Sequence, residues 1–250
     1  MLKAFANGQL FGVASGAGRP SVLALHGWAR TSADFAATLD GLDAIALDLP
    51  GFGATPAPPE PWGAARYAEA VAAVLDELAL PAVVLGHSFG GRVAVHLAAA
   101  HPEAVAGLVL TGAPLVRRPG TAARKPALAY RVGRALHRRH LLPESRMEAL
   151  RRRYGSRDYL AASGVMRGVH VKVVNETYEG QLAAVACPVA LVWGDDDAEV
   201  PVAVAEAAAG HLANATLTLV PGAGHLTPLT APAALRDAVV RVRAGAPKQR

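Results

Sequence analysis

Residues 86–90 read Gly86-His87-Ser88-Phe89-Gly90, and Gly91 follows. This is the G-x-S-x-G pattern, which carries chemistry when it joins a strand to a helix. The sharp turn forces the serine backbone into strain and lifts its hydroxyl above the sheet. Gly86 and Gly90 have no Cβ, so neighbouring backbone can pass close. A serine hydroxyl is a weak nucleophile and needs a base. Nine histidines are available. His87 adjoins the serine and is expected to point to the other side of the turn. His225 follows an apolar run, Thr216–Val220, through Pro221-Gly222-Ala223-Gly224. That places it at the carboxyl end of a strand, on the edge where Ser88 sits in a parallel sheet. The base needs an acid to orient it and to stabilise its charged form. Asp195, Asp196 and Asp197 follow the run Pro188–Trp193. Asp197 is the expected partner, because it lies three residues past Gly194 and leaves room for a turn. Asp195 and Asp196 are expected to face solvent or cap. The run Val105–Leu110 ends in Thr111-Gly112-Ala113-Pro114, with no carboxylate.

An acyl-transfer intermediate also needs donors for its oxyanion. The backbone N–H of Phe89 is one candidate. The N–H of Trp28 is the other, in His26-Gly27-Trp28 after the run Ser21–Leu25. The Trp28 indole also suits the wall of an acyl pocket.

The surrounding elements alternate. Leu2–Ala6 and Leu10–Ala14 read as strands around the turn signal Asn7-Gly8. Ser21–Leu25, Asp43–Leu47, Pro81–Leu85, Val105–Leu110, Pro188–Trp193 and Thr216–Val220 read as further strands. Helices are predicted over Ser32–Leu39, Ala64–Leu80, Phe89–Ala100, Val202–Ala209 and Pro232–Val242. This is the pattern of an α/β fold with a mostly parallel sheet covered on both faces. Pro114 to about Ala186 breaks it, with helical segments near Ala122–Arg138, Ser145–Tyr154 and Val165–Val174. It reads as an all-helical insertion. The tail Ala244–Arg250 is expected to fray.

Of the 250 residues, 52% are hydrophobic and 18% charged, which is too apolar for a disordered chain. The single cysteine excludes an intrachain disulfide and a cysteine-based zinc site. Charges such as Asp76, Glu77 and Glu206 interrupt every long apolar run, so no membrane span is expected. The start MLKAFANGQL lacks a signal-like apolar core, and a cytoplasmic location is expected. From Arg117 to Lys172 there are 15 Lys and Arg against three acids, a net charge of +12. The rest of the chain carries −7. The basic segment is a solvated helical face or a landing surface for an acidic partner. No signature of a nucleic-acid-binding module accompanies it.

His26-Gly27-Trp28, Asp48-Leu49-Pro50-Gly51-Phe52-Gly53, Gly86-His87-Ser88-Phe89-Gly90-Gly91, Trp193-Gly194-Asp195-Asp196-Asp197 and Gly224-His225 together resemble the α/β-hydrolase superfamily. The order Ser, Asp, His is that family's order. The resemblance implies an eight-stranded sheet flanked by helices, with a core of residues 1–113 and 187–250 and a helical cap over 114–186. It implies Ser88, Asp197 and His225 as the catalytic residues, and neither cofactor nor metal. The serine argues against haloalkane dehalogenases and epoxide hydrolases, which use aspartate there. The His-Gly-Trp loop and compact cap resemble the pimeloyl-acyl-carrier-protein methyl ester esterases. The expectation is a carboxylesterase acting on a small-molecule ester, with an acidic acyl carrier protein as a partner for the basic cap. Trp28, Val165 and Met166, with Leu160 and Val169, are candidates for the acyl pocket. C–C hydrolysis, cofactor-free perhydrolysis, a non-enzymatic ligand receptor and a carrier-binding module remain open alternatives.

Overall fold

The computed structural model describes residues 2–78, 81–117 and 127–245, the side chains of Asp76 and Arg157 apart. Eight strands form one sheet: β1 (Leu2–Phe5), β2 (Leu10–Ser15), β3 (Val22–Leu25), β4 (Ala44–Asp48), β5 (Ala82–His87), β6 (Val105–Thr111), β7 (Val189–Gly194) and β8 (Ala215–Val220). Their spatial order is β1-β2-β4-β3-β5-β6-β7-β8. β1 and β2 run antiparallel to their neighbours, and all other pairs are parallel. The mostly parallel sheet expected from the sequence is therefore present.

Side-chain alternation along the strands builds two cores. Leu23, Leu25, Ile45, Leu47, Val84, Leu108, Leu110 and Leu191 point to one face, which also holds residues of α1 (Ala64–Ala72), α2 (Phe89–Ala100) and α8 (Val202–Ala209). Val22, Ala24, Ala44, Ala46, Val83, Leu85, Val109 and Val192 point to the other, with Phe35 and with Leu235, Ala238 and Val239 of α10 (Pro232–Gly245). Every residue of β3 to β7 is buried, while the edge strands β1 and β8 are largely open. This is the pattern of central strands covered by helices on both sides.

Two predicted helices are shorter than expected. Ser32–Leu39 contains only a 3-10 turn over Ser32–Phe35. The helix from Ala64 ends at Ala72 and continues as a 3-10 turn over Leu75–Glu77. Val71, Val74, Leu75 and Leu78 all stay buried, so the apolar spacing that predicted helix is served by the tighter turn. Residues 79 and 80 lie outside the described residues, as do residues 118–126 and the end of the predicted frayed tail.

Between β6 and β7 the described chain is helical: α3 (Leu128–Arg138), α4 (Glu144–Tyr154), α5 (Arg157–Ala161), α6 (Gly164–Val173) and α7 (Glu179–Ala184). The short helices α5 and α7 lie outside the three helices predicted there. Buried and half-buried polar groups fasten this segment to α1 and α2. Arg92 of α2 donates to the carbonyl of Val173 at 2.6 Å. Glu176 accepts from the first amide of α1, Ala64, at 3.1 and 3.2 Å, and from the Tyr178 hydroxyl at 2.8 Å. α6 lies over the loops that follow β3 and β4, with His170 on Trp28 and Met166 on Gly51.

Candidate active site

Ser88 stands between β5 and α2 with φ 50° and ψ −111°. A non-glycine residue in that region stores about 1–3 kcal/mol and persists only when its surroundings hold it. Two hydrogen bonds do so. The Ser88 amide donates to the Thr111 carbonyl of β6 at 2.9 Å, and the Gly90 amide donates to the His26 carbonyl at 3.0 Å. Gly90 must be glycine, because a Cβ there would run into the carbonyl oxygen of Leu25.

His225 lies on the loop between β8 and α9 (Thr227–Thr230). Its Nε2 is 3.2 Å from Ser88 Oγ, and its Nδ1 is 2.9 Å from Asp197 Oδ2. These partners fix the tautomer: Nδ1–H donates to the carboxylate, and Nε2 accepts from the serine hydroxyl. Asp197 is 5% exposed, and its other oxygen accepts from the amides of Glu199 and Val200 at 2.9 and 2.8 Å. The Trp193 indole N–H donates to the Val200 carbonyl at 2.7 Å and anchors the far end of that turn. The loops after β7 and β8 are also tied directly, through the Asp196 amide to Ala223 and the Asp195 carboxylate to the Gly222 amide. Asp195 and Asp196 themselves are exposed.

Opposing effects set the charge of His225. Burial disfavours the imidazolium, but the hydrogen bond and charge of Asp197, with Glu199 and Asp158 adding, hold its pKa above the ordinary value. His87 behaves oppositely. Burial, then the neighbouring His225, pull its pKa down to about 4. The neutral His87 donates from Nε2 to the His225 carbonyl at 2.9 Å. Its Nδ1 is buried with no partner among the described residues. His87 thus braces the backbone of His225, a role its sequence position does not disclose.

Gly27 brings the loop after β3 against the serine. A Cβ there would lie 2.8 Å from His87 Nδ1 and 3.3 Å from Ser88 Cβ. His26 accepts the Leu49 amide at Nε2, at 2.9 Å, and so joins this loop to the one after β4. Buried Asp48 accepts the Ser32 and Ala54 amides at 2.7 and 2.9 Å and shapes the same two loops. The amides of Trp28 and Phe89 donate to no acceptor among the described residues. The Trp28 ring meets Phe52, Phe89 and His170 edge-on, at centroid distances of 5.0, 5.6 and 4.9 Å.

Met166 of α6 packs its sulfur against Gly51 and lies 4.0 Å from the Tyr67 hydroxyl. Val165, one residue earlier, is half-buried, and Leu160 is exposed. Val169 is fully buried in the core and is not placed to line a pocket. Phe52 and His170, absent from the sequence-based candidates, complete the aromatic cluster around Trp28. Phe52 stands in the Pro50-Gly51-Phe52-Gly53 run, so a signal for it existed. Among the described residues no group of three or more His, Cys, Asp or Glu side chains is placed to hold a metal ion.

Comparison with known proteins gives this arrangement a context. A family model described as alpha/beta hydrolase fold matches residues 20–232. The chain is 31% identical over 255 residues to a pimeloyl-acyl-carrier-protein methyl ester esterase of Aromatoleum aromaticum, covering 89% of this chain and 99% of that one. It is 44% identical over 101 residues to lipase LipV of Mycobacterium tuberculosis. That match covers 37% of each chain, so this chain spans little more than a third of the length of that relative. A solved hydrolase of Pseudomonas aeruginosa superposes with a TM-score of 0.70 at 26% identity, over 98% of both chains.

The two neighbouring imidazoles make opposite predictions, readable by NMR titration. His225 should protonate with a midpoint above the ordinary histidine value, and His87 with a midpoint of about 4. Asp197→Asn removes the main opposition to burial and should bring the His225 midpoint below its wild-type value. A midpoint that does not move would mean that Asp197 does not set the charge of His225.

Proposed function

Because this chain belongs to the alpha/beta hydrolase fold family, we propose that it is a carboxylic ester hydrolase that works through an acyl-enzyme on Ser88. The observation that carries the reading is the line of contacts Ser88 Oγ, His225 Nε2, His225 Nδ1 and Asp197 Oδ2, at 3.2 and 2.9 Å. Ser88 Oγ attacks the ester carbonyl carbon while its proton passes to His225 Nε2. Asp197 holds the ring and stabilises the imidazolium that forms. The carbonyl oxygen becomes an oxyanion and takes hydrogen bonds from the Trp28 and Phe89 amides, which have no other acceptor among the described residues. Collapse breaks the C–O bond, and the alcohol leaves with the proton from Nε2. Water then attacks the acyl carbon and gives a proton to His225; the bond from the acyl carbon to Ser88 Oγ breaks, that proton returns to Ser88 Oγ, and the acid is released. Trp28, Met166 and Val165 wall the acyl side, and the helices of residues 114–186 form a cap over it.

The acyl group is proposed to arrive on an acidic carrier protein. Two observations support this: the Aromatoleum relative is an esterase of a carrier-bound methyl ester, and residues 117–172 carry +12. Not every arginine there is free, since Arg151 is held by Glu144 and Glu148. Arg134 and Arg153 have no carboxylate partner among the described residues, and they share an open cavity of about 860 Å³ with Tyr130, Tyr154 and Tyr159.

Hydrolysis of p-nitrophenyl esters from acetate to decanoate should vanish in Ser88→Ala. It should fall ~10⁴-fold in Asp197→Asn with the fold intact, because the ring then adopts the wrong tautomer. Near-wild-type rates in Asp197→Asn would give the orienting role to another acid. For the carrier, Arg134→Glu with Arg153→Glu should lower kcat/KM on a carrier-bound methyl ester at least about tenfold, by loss of steering. Turnover of p-nitrophenyl butyrate should stay the same. Equal losses on both substrates would remove the carrier from the account.

A further inference from the structure

Asp197 is not the only carboxylate on His225. Glu199 Oε2 lies 3.6 Å from His225 Nε2, the nitrogen that faces Ser88 Oγ at 3.2 Å. Backbone and side chain of this residue do different things. Its amide donates to Asp197 Oδ1 at 2.9 Å and so belongs to the turn that holds the buried acid. Its side chain is 71% exposed, and His225 is its ion-pair partner among the described residues. Among the described residues the carboxylate accepts from no backbone amide and caps no helix.

The groups facing His225 give its outer side a clear sign. Asp197 occupies the inner nitrogen, and His87 lies 5.1 Å away, ring centroid to ring centroid, with its pKa pulled down to about 4. From α5 the exposed Asp158 acts on His225 with the same sign as Glu199. Thr111 and Gly112, at the end of β6, bring no charge. The reacting end is thus negative, inside a protein whose residues 117–172 carry +12.

This matters because ester hydrolysis turns a neutral substrate into an anion. We propose that the Glu199 carboxylate is a specificity-determining group that favours the neutral ester over the carboxylate product at the reacting end and hastens product release. The inference rests on the reading of Ser88 as the esterase nucleophile. After deacylation the product carboxylate lies beside Ser88 Oγ and meets the like charge of Glu199. The ester, which carries no charge there, is unaffected. Glu199 also favours the imidazolium that forms as Ser88 attacks. An exposed charge pair is worth only a few-fold in affinity and is screened by salt.

The experiment follows the His225 ring signal by NMR in the full chain, assigned with His225→Gln, at pH 8. Sodium butyrate and butyramide, which match in shape and differ in charge, are titrated into wild type, Glu199→Gln and Glu199→Lys. Both variants keep the amide that holds Asp197. Butyrate should bind about threefold more tightly to Glu199→Gln and more tightly still to Glu199→Lys. Butyramide should bind all three alike, and 0.5 M NaCl should collapse the butyrate differences. The His225 midpoint should also fall in Glu199→Gln. Butyrate and butyramide shifting together would reveal a shape effect and overturn the proposal. So would equal butyrate affinities, or no butyrate-induced shift even in Glu199→Lys. Turnover of p-nitrophenyl butyrate on the same samples separates the two readings. A protein without turnover whose butyrate affinity still follows the charge at position 199 loses the esterase reading and keeps the filter.

Discussion

The arrangement depends on a backbone that is bent against its preference at one residue. Ser88 holds φ 50° and ψ −111° only because β6 and the loop after β3 each take a hydrogen bond from the turn, through Thr111 and His26. The sheet order places β5 between β3 and β6, so both acceptors are its immediate neighbours. The strain is stored at the centre of the most buried part of the fold, where the surroundings can best hold it.

The electrostatics around this turn come from the unequal partners of like groups. His87 and His225 sit with ring centroids 5.1 Å apart, yet their protonation is driven in opposite directions. His225 has a buried carboxylate, and His87 has only a backbone carbonyl. Asp197 and Glu199 are two residues apart and differ in the same way. One is buried and held by amides, the other stands in solvent with its charge on the outer nitrogen. A single short loop after β7 thus supplies both an orienting charge and an exposed one.

Much of this was legible in the sequence, for local reasons. The strands announce themselves as short apolar runs, and G-x-S-x-G between a run and a helix specifies a turn that few other sequences need. Asp197 and His225 could be singled out because each follows a run that ends on the same edge. The rest was hidden because it depends on distant partners. His87 finds the carbonyl of a residue 138 positions away, and Arg92 finds a carbonyl 81 positions away. Nothing next to either residue signals that partner. The helix predicted from Ala64 overshoots because Val71, Val74, Leu75 and Leu78 satisfy helical spacing, while the chain tightens into a 3-10 turn with the same residues buried. Helix α5, only five residues long, is too brief for an apolar period to show.

The central claim is that the bent turn presents one serine as an activated nucleophile, with His225 as its base. Covalent capture by a fluorophosphonate tests it most directly, since fluoride leaves as the serine oxygen bonds to phosphorus. Intact-mass and peptide analysis of the full chain should find one adduct, on Ser88, formed rapidly at pH 8 and nearly absent in His225→Gln. A folded wild-type protein that takes no label, takes it on another residue, or takes it equally without the His225 imidazole would contradict the account.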